Sequence, residues 1–260
     1  MAIVISVANQ KGGVGKTTTC VNVGAGLGMR GYKTLLIDFD PQRSLSSYFA
    51  LTEQPLNVED WITGKENFSQ VVCETPFRDL HVLPATEKGL RNVETSIQSD
   101  FSLSFNCLQK SVDLVRNQYE FILIDTLPSV SLLFANSLVA SDRVLVPAEL
   151  SFLSMQGLPL LHSKISEVQQ NFKAIGVLGV FGTKFRQGVN ESEDCLAELN
   201  TAMPGLAMKT HVRLNSKVAE AAAHHQPIQY FDNRCPGSED YENLISEVLN
   251  RCPKQPARVR

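Results

Sequence analysis

The chain has 260 residues, 43% of them hydrophobic and 20% charged, with a formal net charge of −3. A composition this near the globular average excludes a disordered or fibrous chain, and the mild negative charge leaves only a local basic patch for any binding to nucleic acid. No apolar run approaches the ~20 residues of a membrane helix, and the first, Ile3 to Ala8, lacks the flanks of a signal peptide, so a cytoplasmic protein is expected.

Ala2 to Ala8 is a β-branched run that reads as a buried strand. A glycine-rich loop follows, and Thr17 to Arg30 then reads as a helix ended by Gly31. Gly24, Gly26 and Gly28 lower its helix propensity, so its helicity is expected to come from close packing on a sheet. Thr34 to Asp38 is a second buried strand, which completes a strand–helix–strand unit and implies a parallel sheet. The middle is less regular. A short strand is expected after Asp79, ending at Val82 to Pro84, and an amphipathic helix from Ser104 to Tyr119. Strands are expected at Phe121 to Asp125, Arg143 to Pro147 and Ile175 to Phe181, with a short one at Met208 to Val212. Helices are expected at Ser154 to Phe172, Glu191 to Thr201, Ser216 to His224 and Ser238 to Arg251. The alternation predicts one α/β domain, residues 1–251, with a twisted, mostly parallel sheet of about seven or eight strands and helices on both faces. Residues 252–260, CPKQPARVR, read as a basic flexible tail. The six cysteines have no C-x-x-C spacing, which argues against a disulfide framework, a zinc site or an iron–sulfur centre.

The strongest signal lies between the first strand and the first helix. Lys11, Gly12, Gly13, Val14, Gly15, Lys16, Thr17 and Thr18 spell KGGVGKTT. Without Cβ atoms, a loop of this kind brings backbone N–H groups close to phosphates, and the helix N-terminus adds partial positive charge. Lys16 is placed to reach the β- and γ-phosphates of a nucleotide, and the Thr17 hydroxyl to ligate Mg²⁺. Asp38 and Asp40, in LLIDFDPQ, fall at the end of the second strand, on the edge of a parallel sheet that carries the loop. Asp125 closes the buried run FILID, where a carboxylate holds Mg²⁺ directly or through water.

The usual P-loop begins with a glycine at the position occupied here by Gln10, and the extra Lys11 with Gly12-Gly13 instead resembles the deviant Walker A motif of the ParA/MinD family of ATPases. The resemblance continues through DFDPQ, through Ser141 to Leu158, through Val212 to Ile228 and through Pro236 to Leu244, and is weakest over residues 50–105. Two departures stand out: Thr126-Leu127-Pro128 where the family reads T-P-P, and Arg43-Ser44 where many members read Gly-Asn. The resemblance implies a Mg²⁺-dependent ATPase that forms a homodimer in the ATP state. In such a dimer Lys11 is the signature lysine, reaching the partner's ATP, and Asp40 orients the attacking water near the Mg²⁺ shell. It also places the adenine pocket near Thr183 to Phe185.

By the same resemblance the ATP-bound dimer binds DNA without sequence preference, and the cation positions are Lys184, Arg186, Arg213 and Lys217. Arg251, Lys254, Arg258 and Arg260 are possible additions. A ParB-like or other adaptor would stimulate hydrolysis, and the cargo would be a chromosome, a plasmid or a protein assembly. The expected location is cytoplasmic and nucleoid-associated. The chain starts close to its first strand, so an operator-binding helix-turn-helix is not expected. The alternative is a MinD-like ATPase that cycles on membranes. It would need a basic amphipathic C-terminal helix, whereas the last helix here carries Glu239, Asp240, Glu242 and Glu247. His224-His225 is a poor chelating pair, because neighbours on a helix point apart.

Overall fold

The computed structural model describes residues 1–99, 105–129, 131–152 and 158–252. Its centre is a seven-stranded sheet of order β3-β4-β2-β5-β1-β6-β7. The strands are β1 (Ile3–Val7), β2 (Thr34–Phe39), β3 (Cys73–Glu74), β4 (Leu80–Leu83), β5 (Phe121–Thr126), β6 (Arg143–Glu149) and β7 (Gly176–Thr183). All neighbours pair parallel except β3, which runs antiparallel to β4 at one edge. Every residue of β1, β2 and β5 is buried, which is why these strands read as unbroken apolar runs rather than alternating ones.

Helices cover both faces and divide the core in two. On one side α1 (Lys16–Met29) and the helix Pro236–Arg251 pack with Ile5, Val7, Leu36 and Leu123 of the sheet. On the other, Leu90, Leu108, Val112, Leu133, Phe134, Leu161 and Ile165 come from four helices and meet Val4, Ile37, Ile122 and Ile124. The glycines of α1 do what the sequence suggests. A Cβ at Gly24 would strike Leu36, one at Gly26 would strike Ile245, and one at Gly28 would strike the backbone carbonyl of Arg78. α1 therefore lies close against both the sheet and the terminal helix.

Most of the other expected strands and helices are present with shifts of a few residues at their ends. The helix expected from Ser104 runs over Cys107–Val115 and finishes as a 3-10 turn, Arg116–Gln118. The helix expected from Ser154 is seen as Leu158–Asn171, and residues 153–157 lie outside the described residues. Residues 253–260 of the expected tail also lie outside them. Met208 to Val212 is not a strand. Met208 N donates to Val180 O and Val212 N to Gly182 O, but the segment leaves the edge of β7 between these bonds and makes only isolated bridges around it. The irregular middle holds four short elements that no periodicity announced: Ser44–Tyr48, Val58–Ile62, Phe68–Val71 and β3, followed by the longer helix Glu87–Ser99. The six cysteines are free.

Candidate active site

The register of the sheet assembles the site. Val7 of β1 and Asp38 of β2 both pair with Asp125 of β5, so the glycine-rich loop leaves the sheet beside two carboxylates at its C-terminal edge. In the loop, Gly13 and Gly15 have φ of 74° and 93°, which L side chains rarely adopt. A Cβ at Gly12, Gly13 or Gly15 would meet nothing within 4 Å. The loop therefore borders open space, and its glycines serve backbone conformation and ligand approach rather than packing. Its shape is pinned from outside. Asn9 Nδ2 donates to Pro147 O at 2.8 Å, Lys11 N to Asn9 Oδ1 at 3.0 Å, and Thr183 Oγ1 to Val14 O at 2.9 Å.

Lys16 opens α1 and folds back over the loop, its Nζ 3.2 Å from Lys11 O. It is buried. Desolvation pulls its ammonium below the usual lysine range, against the attraction of Asp125 and Asp40. Thr17 Oγ1 donates to Asp125 Oδ2 at 2.7 Å. The other oxygen of Asp125 is buried without a hydrogen-bond partner. Burial raises the Asp125 carboxyl well above its ordinary range, and the nearby Asp38 raises it further, opposed by the Thr17 hydroxyl.

Asp38 is fully buried and accepts from Ser46 N at 2.7 Å and Ser46 Oγ at 2.6 Å on one oxygen, and from Asp40 N at 3.3 Å on the other. Burial still lifts it to about 6. Asp40 accepts from Gln42 N at 2.9 Å, and burial raises it against that bond and against Lys16. Of the two aspartates in DFDPQ, Asp38 is thus the structural one, clamping the turn that presents Asp40.

Two buried carboxylates, Asp125 and Asp40, act on one buried lysine, and a third, Asp38, lies beside them. That imbalance, the orphaned Asp125 Oδ1 and the adjacent Thr17 hydroxyl suit a divalent cation. No group of three or more His, Cys, Asp or Glu among the described residues forms a ready metal cage. Mg²⁺ needs none, since it commonly takes one or two protein oxygens and completes its shell with phosphates and water. The residues present fit Mg²⁺ arriving with a nucleotide; Thr17 and Asp125 are the groups that would hold it, with Asp40 nearby.

Lys11 does not enter its own phosphate cradle. Its Nζ lies 3.1 Å from Glu149 Oε2 at the end of β6, and Lys184 Nζ lies 3.4 Å from the other oxygen of the same carboxylate. Glu149 was not anticipated from the sequence. The strand was expected to stop at Pro147, and the extra two residues carry this carboxylate to the rim of the site. Burial pushes Glu149 up, but the two ammonium groups outweigh it and hold it below the ordinary range.

The four cation positions named for DNA binding are scattered in their surroundings. Arg186 is exposed in the turn after β7, and Lys184 sits at φ 54° beside Glu149. Lys217 lies in the first turn of the helix Ser216–Ala223 and pairs with Glu220 at 2.6 Å. Arg213 is tied down: its Nε and Nη2 reach both oxygens of Asp240, and Nη2 also reaches Glu239 at 2.8 Å. Near the expected adenine pocket, Phe185 packs against His211 with ring centres 4.3 Å apart and exchanges backbone bonds with Val212 and Leu214. The histidine pair divides: His224 stacks on Phe231, and His225 Nδ1 lies 3.0 Å from Tyr48 O.

Comparison with known proteins agrees with this geometry. The model of a family described as "AAA domain" matches residues 2–175. The chain is 35% identical to the chromosome-partitioning ATPase Soj of Treponema pallidum over 245 residues, covering 94% of this chain and 95% of that protein. The chain belongs to the ParA/MinD family of P-loop ATPases. Among solved structures, apo McdA from Cyanothece superposes with a TM-score of 0.86 at 20% identity, covering 96% of this chain and all of that one. Cobyrinic acid a,c-diamide synthase from Mycobacterium smegmatis, with bound ADP and magnesium, superposes with a TM-score of 0.83 at 25% identity, covering 96% and 95%. As a ParA/MinD-type ATPase the protein takes ATP and Mg²⁺ as cofactors. Among the described residues no helix is long and apolar enough to cross a membrane.

Proposed function

We propose that this ParA-type ATPase closes into a homodimer on Mg-ATP, binds DNA without sequence preference, and positions a chromosome, plasmid or protein cargo. The observation that carries this reading is the arrangement of its two loop lysines. Lys16 lies folded over the loop, whereas Lys11 stands at the rim on Glu149. A lysine at the rim suits service to a nucleotide bound by a second copy. There its charge would stabilise the transferring phosphoryl group as an arginine finger does.

Within one subunit, Gly12 to Thr18 would hold the phosphates through backbone N–H groups, Lys16 would balance their charge, and Asp40 would orient the attacking water. Mg²⁺ supplies charge neutralisation of the β- and γ-phosphate oxygens when bound. Lys184, Arg186, Arg213 and Lys217 would face DNA phosphates, with Arg213 acting while held by Asp240 and Glu239. A ParB-like adaptor would stimulate hydrolysis and release the DNA. The 35% identity to a chromosome-partitioning ATPase favours a chromosome as cargo. The working location would be the nucleoid. A MinD-like membrane cycle is less favoured, because Tyr241, Leu244, Ile245 and Val248 of the terminal helix are buried in the core.

The test is co-sedimentation with random-sequence DNA and, in parallel, with anionic liposomes, under ATP, ADP and no nucleotide across a salt series. ATP-dependent binding to DNA that weakens with salt, without liposome binding, is the expected result. Liposome binding without DNA binding would overturn it. Lys16→Ala should abolish tight ATP binding, Lys11→Ala should impair ATP-dependent dimerisation, and Asp40→Ala should leave a DNA-bound dimer that does not turn over.

A further inference from the structure

The short helix Ser44–Tyr48 joins two parts of the molecule that are far apart in sequence. At its centre, Ser46 donates its N–H and its hydroxyl to Asp38, and Ser46 Oγ accepts from Ala85 N at 3.0 Å. At its end, Tyr48 is gripped twice. Its hydroxyl donates to Gln226 O at 2.9 Å, and its own carbonyl accepts from His225 Nδ1 at 3.0 Å. A carbonyl can only accept, so Nδ1 carries the proton. His225 holds φ 58°, a left-handed conformation that is strained for a histidine and persists where surrounding contacts impose it.

Residues 224–226 are also the C-terminal closure of the helix Ser216–Ala223. His224 N bonds to Glu220 O, His225 N to Ala222 O and Gln226 N to Ala221 O. Just beyond, Ile228 N bonds to Asn22 Oδ1 and Gln229 Nε2 to Asn22 O, which fastens the chain to α1. The segment therefore runs between an anchor on α1 and a grip on the helix that follows Asp38 and Asp40. The element it closes is a helix of about two turns with Lys217 in its first turn.

We infer that the Tyr48–His225 and Tyr48–Gln226 bonds make Tyr48 a positioning residue, coupling the nucleotide state at Asp40 to the orientation of the Lys217 helix. This inference rests on the proposed ATP- and DNA-binding reading and supplies its regulation: the γ-phosphate is sensed at the turn containing Asp40, and the displacement reaches the DNA-facing helix through one tyrosine. Tyr48 itself is buried and lies outside the phosphate loop.

The experiment compares wild type with Tyr48→Phe, which keeps the ring and removes the hydroxyl. Three quantities are measured: ATP affinity, DNA affinity under a non-hydrolysed ATP analogue and under ADP, and nucleotide-dependent hydrogen exchange of residues 44–48 and 216–228. His225→Asn, whose residue tolerates the left-handed backbone, serves as the second variant and carries the same test if Tyr48→Phe does not fold. The expected result is unchanged ATP affinity, a retained exchange response at 44–48, a lost response at 216–228, and a fall of at least about fivefold in the ATP-to-ADP ratio of DNA affinities. A variant that loses thermal stability but keeps the wild-type ratio and exchange response would overturn the coupling and leave Tyr48 a packing residue. If wild type binds no DNA in any state, the DNA reading fails. The coupling would still stand on loss of the 216–228 response in the variant and would fall if that response is unaltered.

Discussion

Thr17 donates its hydroxyl to Asp125 at 2.7 Å, joining the first turn of α1 to the C-terminal end of β5 beside the phosphate loop. The bond occupies one carboxylate oxygen and leaves the other buried and unpartnered. A divalent cation brought in with a nucleotide would use both groups. Thr17→Ala should therefore weaken nucleotide binding about tenfold or more when Mg²⁺ is present and alter it little in EDTA. Titration of a fluorescent ATP analogue with and without Mg²⁺ checks this, and an equal loss in both conditions would remove Thr17 from the cation shell.

Glu149 holds both Lys11 and Lys184 in the single subunit. For Lys11 to serve a partner's nucleotide, that contact must be given up. Partly exposed pairs of this kind are worth at most about 1 kcal/mol. Glu149→Gln should accordingly lower the protein concentration needed for ATP-dependent dimerisation by up to about fivefold, without changing ATP affinity. Sedimentation equilibrium reads the shift, and dimerisation weakened by the substitution would contradict it.

Gly28 tests the packing of α1. Alanine would normally favour a helix by about 1 kcal/mol over glycine. Here the added Cβ meets the carbonyl of Arg78, a backbone atom that no rotamer change can clear. Overpacking should win, with Gly28→Ala losing about 2 kcal/mol or more and Tm falling by at least about 4 °C. A melting temperature equal to or above wild type would show that residues 77–79 yield.

Asp142 gives the pH dependence a sign. Burial pushes its carboxyl up, but hydrogen bonds from Arg116 and from Val4 N, with the charges of Arg116 and Lys173, bring it below its ordinary range. A depressed carboxyl stabilises the fold above its unfolded pKa, and that contribution is lost as pH falls through the folded value. Urea unfolding should find Asp142→Asn about 1 kcal/mol less stable than wild type at pH 7, with the gap closing below about pH 4. A gap as wide at pH 2 as at pH 7 would assign the loss to packing instead.

Much of this was legible in the sequence because buried parallel strands and a glycine-rich loop leave strong local signals. FILID and TLLID could be little else, and the loop between Val7 and α1 announces phosphate chemistry by residue type alone. Ser44–Tyr48 and Val58–Ile62 were not legible, since five residues give no helical period to detect. Glu149 was hidden for a different reason. Its role depends on how far β6 extends past Pro147, and a proline there reads as an end although the register with β7 continues through Pro147, Ala148 and Glu149. Met208 to Val212 misled in the opposite direction, having strand-like composition but only intermittent bonds to its neighbour.

The enclosure of α1 has one further consequence. Residues Thr19 to Gly28 are buried between the sheet and the terminal helix, with no side left to solvent. A rod walled in on all sides cannot pivot without opening the core, so the phosphate loop at its tip is the stationary part of the machine. Whatever the molecule reports about its nucleotide must be reported by the strand-end segments moving around that fixed tip, as clock hands are read only against a dial that stays still.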